Sequence, residues 1–238
     1  MSAKQSRVHE LARPVHLSKS RIALALQCPK RLHFKVHHPE AEEIDAQSKV
    51  AFATGDEVGE LARELYTTAD SIYIDVPYDE LDRAVVETDE LIRSGHRAPI
   101  FEATFRNDDV VVRVDALLPD GDGWRIVEVK SSTSVDGSHI PDCAIQAWVC
   151  RGAGLDIRRI AVAHIDNTFI YRGNGDYRGL LIEEDVTDAV QEQLDHVADW
   201  VDFSNVPLRA PCARQGRNPD GAGWRHDQNS DRHHRSNR

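Results

Sequence analysis

The stretch VVVRVDALLPDGDGWRIVEVK, residues 110–130, decides how this 238-residue chain is read. Two runs rich in β-branched side chains, Val110 to Leu118 and Trp124 to Lys130, flank Pro119, Asp120, Gly121, Asp122 and Gly123. That composition is a turn between two strands. Upstream, Ile100 to Arg106 alternates with a period of two and closes on the turn Asn107, Asp108, Asp109. The three strands predict an antiparallel meander.

Strand alternation then places the charged residues. Ile126, Glu128 and Lys130 point one way and Val127 and Val129 the other. Arg113, Asp115 and Leu117 are expected to share a face, and a hairpin across the five-residue turn sets Asp115 beside Glu128. Two carboxylates at one sheet edge make a hard-cation site, because Mg²⁺ takes oxygen ligands and tolerates one or two carboxylates plus waters. The backbone carbonyl of Val129 is a further candidate oxygen. A lysine two residues on can hold or deprotonate an attacking water, whose pKa a bound metal lowers. Asp115, twelve intervening residues, then Glu128-Val129-Lys130 is a weak pattern alone, since charged strand faces are common. The apolar residues Trp124, Ile126, Val127 and Val129 strengthen it, because a buried Glu and Lys are costly unless used.

Further outward, Ser18 or Ser20 can cap a helix over Ile22 to Leu26 that Pro29 breaks after Cys28. A second helix runs from about Ala46 to Tyr66 and buries Val58, Leu61, Ala62 and Leu65; a third, Asp79 to Ser94, ends at Gly95. After the meander come a helix near Ile140 to Arg151, strands at about Arg159 to Ile165 and Thr168 to Tyr171, and a last helix capped by Thr187. That helix buries Val190, Leu194, Val197 and Val201. The order predicts an α/β fold, a mixed sheet flanked by helices: a helical part over 16–98, a sheet core over 99–206, a flexible N-terminus over 1–15 and a disordered basic tail over 207–238.

The charge is uneven. The tail holds seven arginines against three aspartates, a net +4, which leaves −15 for residues 1–206. With no Val, Ile, Leu, Met or Phe after Leu208, it has too little to bury to offset its ordering entropy. An acidic body opposes nonspecific DNA binding. Lys19, Arg21, Lys30, Arg31 and Lys35 form one basic stretch, however, and Arg113, Lys130 and Arg151 are expected around the carboxylates. No run of about 18 apolar residues occurs, so no membrane span is expected. The N-terminus lacks the apolar region of a secretory signal, and the four cysteines are too scattered for a disulfide scaffold, which together predict a cytoplasmic protein with free thiols.

Asp115 followed by Glu128-Val129-Lys130, then a helix bearing Gln146, resembles the PD-(D/E)XK nuclease superfamily, specifically its RecB-like branch with the CRISPR-adaptation exonucleases. Leu17 to Leu32, with Cys28-Pro29-Lys30-Arg31, is similar to that branch's first helix, and Gly55 to Arg63 to its first nuclease motif. The resemblance spans about His16 to Val201. It implies a restriction-endonuclease-like fold and a Mg²⁺- or Mn²⁺-dependent deoxyribonuclease leaving 5′-phosphates in DNA repair, recombination or defence, with helicase or repair and defence proteins as possible partners. Asp115 and Glu128 would bind metal, Lys130 would serve the nucleophilic water, and Gln146 would orient DNA and the site.

The chain departs from the branch in three places. Cys150 stands where its Gln-x-x-x-Tyr motif ends in Tyr. Gly59 stands where a metal-binding His is frequent, so Glu60, or Glu102 on the first strand, is the alternative third ligand; each can equally be a solvated or salt-bridged charge. The branch's iron-sulfur cluster uses one N-terminal and three C-terminal cysteines. Only Cys28 is in place, Cys212 stands alone in the tail, and no cluster is expected. A catalytically inactive nuclease-like module that binds nucleic acid or a partner protein is the alternative function.

Other patterns are weaker. His33 and His37 have a zinc-ligand spacing without further ligands to complete it. Asp120 to Gly123 lacks the glutamate of a calcium loop, which would fall at Ser131. Gly152 to Gly154 and Gly173 to Gly175 are read as turns, and Ser131 to Ser134 as a polar connection.

Overall fold

The computed structural model describes residues 16–41 and 45–209. The flexible N-terminus and nearly all of the basic tail expected from the sequence lie outside them. A seven-stranded mixed sheet is flanked by helices on both faces. Its elements are β1 (Leu17–Ser18), α1 (Lys19–Gln27), α2 (Pro29–His37), α3 (Ala46–Tyr66), β2 (Ile72–Tyr73), α4 (Leu81–Arg93), β3 (Ile100–Asn107), β4 (Val110–Asp120), β5 (Gly123–Val129), α5 (His139–Gly152), β6 (Ile157–Ile165), β7 (Leu181–Asp185) and α6 (Thr187–Arg209).

Local chemistry sets the helix ends. Ser18 accepts from the Arg21 N–H at the start of α1, and Pro29 opens α2 where its missing N–H costs nothing. Gly95, at φ +79°, reverses the chain after α4 in a conformation that a Cβ disfavours. One face of the sheet, with Ile100, Val112, Leu117, Ile126 and Ile160, packs on Ile145 and Val149 of α5 and Val190 and Val197 of α6. The opposite face, with Phe101, Ala116, Leu118 and Val127, packs on Tyr66 of α3. β5 is therefore buried on both sides.

The strands run β2-β3-β4-β5-β6-β7; β2 is parallel to β3, β3-β4-β5 is the antiparallel meander, β6 is parallel to β5, and β7 is antiparallel to β6. The division into a helical part over 16–98 and a sheet core is therefore too sharp. β1 and β2 come from the first part, and at two residues each they are too short to show a period. The β4–β5 turn is tighter than the five residues expected, because Asp120 pairs with Gly123. A Cβ on Gly123 would stand 2.6 Å from the Asp156 carbonyl oxygen, so this crossing into β6 needs glycine.

Two further expectations change near the end. Thr168 to Tyr171 is not a strand: Asp166 accepts from the Thr168 N–H and hydroxyl, which curls the chain, Ile170 is exposed, and Leu181–Asp185 pairs with β6 instead. Thr187 does not cap α6 with its hydroxyl, which accepts from the Ile160 N–H, while Asp185 accepts from the Thr187 N–H. The helix continues to Arg209, past the boundary expected at residue 207.

Strand alternation breaks at a bulge in β6 between Ile157 and Arg159, and again in β3 and β4, where the break builds the site. Along β3, Ile100, Ala103 and Phe105 join the core on the α5 side while Phe101 faces the other. Along β4, Val110, Val112, Val114 and Leu117 join the first and Ala116 the second. Both strands slip by one residue at the opposed positions Glu102 and Asp115. Glu102 makes the slip by taking φ +57°, a left-handed conformation that is uncommon for a non-glycine residue. The face shared by Arg113, Asp115 and Leu117 is thereby lost.

Candidate active site

Above this slip the sheet forks. β4 pairs with β5 from Asp120↔Gly123 up to Ala116↔Val127 and no further. At the next step the Asp115 side chain, not its backbone, accepts from the Val129 N–H at 2.7 Å. The earlier half of β4 instead pairs in parallel with β1, Leu17 opposite Val110 and Ser18 opposite Val111. α1 starts one residue later, which delivers Lys19 into the fork.

Glu128, only 2% exposed, is the centre of what gathers there. Its Oε1 accepts from Lys19 Nζ at 2.5 Å and lies 2.8 Å from Lys130 Nζ; its Oε2 accepts from Gln146 Nε2 at 2.5 Å. Lys130 also donates to Asp142 at 2.9 Å, in the first turn of α5. Gln146 is fully buried one helical turn on, and its Oε1 has no partner among the described residues. The structure thus brings together Asp115, Glu128, Lys130 and Gln146, and adds Lys19 and Asp142, which sequence reasoning missed as site residues. Asp142 stands four residues before Gln146, one turn along the same helix, and that spacing was legible. Lys19 had no such signal.

The charges act on one another strongly. Burial and the Glu128 charge push the Asp115 carboxyl well above the ordinary carboxylate range, against Lys19 and the Val129 N–H. Glu128 moves the other way: burial would raise it, but the two ammonium groups overcome that and hold it ionised. Burial likewise works against the ammonium of Lys130, and Glu128 and Asp142 outweigh it, so its proton is held more tightly than in water. The pair carries its negative charge on Glu128 first.

Glu102 stands at the rim. Its carboxylate lies 3.7 Å from Arg113, and burial followed by the opposing pull of Arg113 and Arg63 leaves its pKa raised. Glu128 and Lys19 also act on it. Arg113 donates to the Val76 carbonyl and lies 4.3 Å over the exposed ring of Tyr78. Glu60 is exposed on α3, and the leading charges on Asp115, Glu128 and Glu102 do not include it. Arg151 is at the far end of α5, bonded to Gln191 and the Ile157 carbonyl, so it does not surround the carboxylates as expected. Cys143 and Cys150 are buried thiols raised first by burial, and Cys28 sits at the α1–α2 junction.

No cluster of three or more His, Cys, Asp or Glu side chains among the described residues is arranged to hold a metal ion. The donors at the fork are instead two carboxylates, an amide oxygen without a partner and the Val129 backbone. The Val129 N–H points at β4, and its carbonyl projects to the same edge in extended chain. That all-oxygen set suits a hard cation completed by water.

No family model matches the chain, and no curated protein matches it. Among solved structures, one called SSO0001 superposes with a TM-score of 0.27 at 14% identity, covering 68% of this chain and 89% of that one. That likeness is too slight to bear on function. No helix among the described residues is long and apolar enough to cross a membrane.

Proposed function

We propose that this chain is a metal-dependent nuclease of the PD-(D/E)XK type that hydrolyses DNA phosphodiester bonds in repair, recombination or defence, acting in the cytoplasm. The observation that carries this reading is the convergence of Asp115, Glu128 and Lys130 at a fork in the sheet, with Gln146 bonded to the buried carboxylate. A structural salt bridge does not need a second carboxylate whose ionisation is disfavoured, nor a buried amide oxygen left without a donor.

Asp115, Glu128 and the Val129 carbonyl would hold Mg²⁺ or Mn²⁺, with Gln146 Oε1 able to receive a bound water. Such a cation supplies an acidic water and neutralises charge on the phosphate. Gln146 keeps Glu128 in one rotamer. Lys130, with its proton held by Glu128 and Asp142, serves as a hydrogen-bond donor and positive charge toward the water or phosphate, rather than as a base.

The second reading, an inactive nuclease-like binding module, is favoured by Lys19, whose ammonium already occupies Glu128 Oε1. Cleavage of labelled single- and double-stranded DNA with Mg²⁺, Mn²⁺ or EDTA separates the two. Metal-dependent cleavage that disappears in Asp115→Ala and Lys130→Ala supports the nuclease. A folded wild type that cuts nothing, or variants that cut equally well, overturns it.

A further inference from the structure

The position of Lys19 has no parallel in the Asp, Glu-x-Lys pattern, and it follows from the fork. β1 exists because β5 leaves the edge of β4 unpaired beyond Asp115, and α1 begins immediately after β1. The Lys19 ammonium then sits at 2.5 Å from Glu128 Oε1, with a side chain 22% exposed. Glu128 accepts from Lys19, Lys130 and Gln146 at once, so a cation approaching Oε1 meets a carboxylate oxygen already shared by two ammonium groups.

The two ammonium groups on this oxygen are balanced by the ionised Glu128 itself and by Asp142 beside Lys130. A divalent cation would reverse that balance, and one ammonium must move. Lys130 is tied to Asp142 as well as Glu128, whereas Glu128 is the sole side chain within ion-pair distance of Lys19 among the described residues. Lys19 is the more weakly held of the two.

We propose that Lys19 is a built-in counter-cation: it stabilises the metal-free site by occupying Glu128, a divalent cation must displace it, and it thereby sets how tightly the site binds metal. This rests on the nuclease reading of the same site and concerns a positioning residue outside its motif. Displacement also leaves the ammonium beside the cation, where the phosphate of a substrate is the natural new partner.

The test is Mn²⁺ binding to the full chain by titration calorimetry, for wild type, Lys19→Gln and Lys19→Arg. Lys19→Gln keeps a donor to Glu128 without the charge and should bind Mn²⁺ about tenfold more tightly or better, the scale of one charge-assisted hydrogen bond. Lys19→Arg, which keeps the charge, should gain nothing. Thermal melts should cross: Lys19→Gln lower than wild type in EDTA, but gaining more from Mn²⁺. A measurement on the wild type alone guards against a variant that folds poorly, because Mn²⁺ should increase acylation of the Lys19 amine by an amine-reactive label. Unchanged or weaker Mn²⁺ affinity in folded Lys19→Gln, or Lys19 labelling unaffected by saturating Mn²⁺, overturns the proposal while leaving the metal site intact. Absence of Mn²⁺ binding in all three proteins overturns the metal site and this inference with it.

Discussion

Replacing Asp115 with Asn should make the metal-free protein more stable, and the gain should grow with pH. Asp115 is partly buried opposite Glu128, and burial first, then the Glu128 charge, raises its pKa. In the unfolded chain an aspartate ionises near its ordinary value of about 3.9. Above that pH the unfolded state releases its proton while the folded state keeps it, so stability falls as pH rises until the folded group ionises too, and the full penalty then remains. Two unit charges about 5 Å apart repel by about 3 kcal/mol at an effective dielectric constant of about 20. The Lys19 ammonium offsets part of this, which leaves about 1–2 kcal/mol. Asn retains an oxygen for the Val129 N–H, so the fork should survive. For a body of this size the gain is a melting temperature higher by about 2–8 °C. The assay is thermal unfolding in EDTA at about pH 5 and pH 8.5. A difference between variant and wild type that is small at the lower pH and large at the higher supports the reasoning. Destabilisation at the higher pH, or an equal shift at both, refutes it. Excess Mn²⁺ should then raise the wild type and leave Asp115→Asn where it was.

Three other substitutions probe separate parts of the argument. Lys130→Ala should lower DNA cleavage by about 10²–10⁴-fold in steady-state assays while leaving the circular dichroism spectrum unchanged. Thr88→Val removes a fully buried hydroxyl that donates to the Ala84 carbonyl and accepts from the Thr104 N–H. Leaving that N–H without a partner should cost about 1–3 kcal/mol by urea denaturation. Gly123→Ala should cost about 1–3 kcal/mol in the same measurement, because its Cβ would meet the Asp156 backbone carbonyl, which cannot yield as the neighbouring Arg158 and Asp156 side chains can.

Much of the architecture was legible because it rests on local periodicity. The Val-rich runs around residues 110–130 specified the antiparallel meander, and the repeat of Val58 and Ala62 specified α3 to its observed ends. What escaped was structure too short to have a period, or whose pattern competed with side-chain chemistry. β1 and β2 are two residues each. Thr168 to Tyr171 has the composition of a strand, but Asp166 binds the Thr168 backbone and hydroxyl and turns the chain first. Thr88 was missed as a core residue because its value lies in two hydrogen bonds rather than apolar area.

The candidate site divides along the same line. Strand alternation placed Glu128 and Lys130 on one face, and hairpin register placed Asp115 opposite Glu128. Neither could show that Asp115 turns its carboxylate into the gap between the strands, because that requires β3 and β4 to slip together at Glu102 and Asp115. The slip has a cost, a left-handed glutamate of about 1–3 kcal/mol. It has a product as well: an open edge on β4, filled by β1, with Lys19 as the next residue in the chain. The strained Glu102, the fork, the Asp115 contact and the Lys19 ion pair are therefore one feature with four parts. Relieving it by a change at Glu102 should loosen Lys19 and Asp115 together, which is why a long-range contact such as Lys19 to Glu128 leaves no trace in the spacing of residues along the sequence.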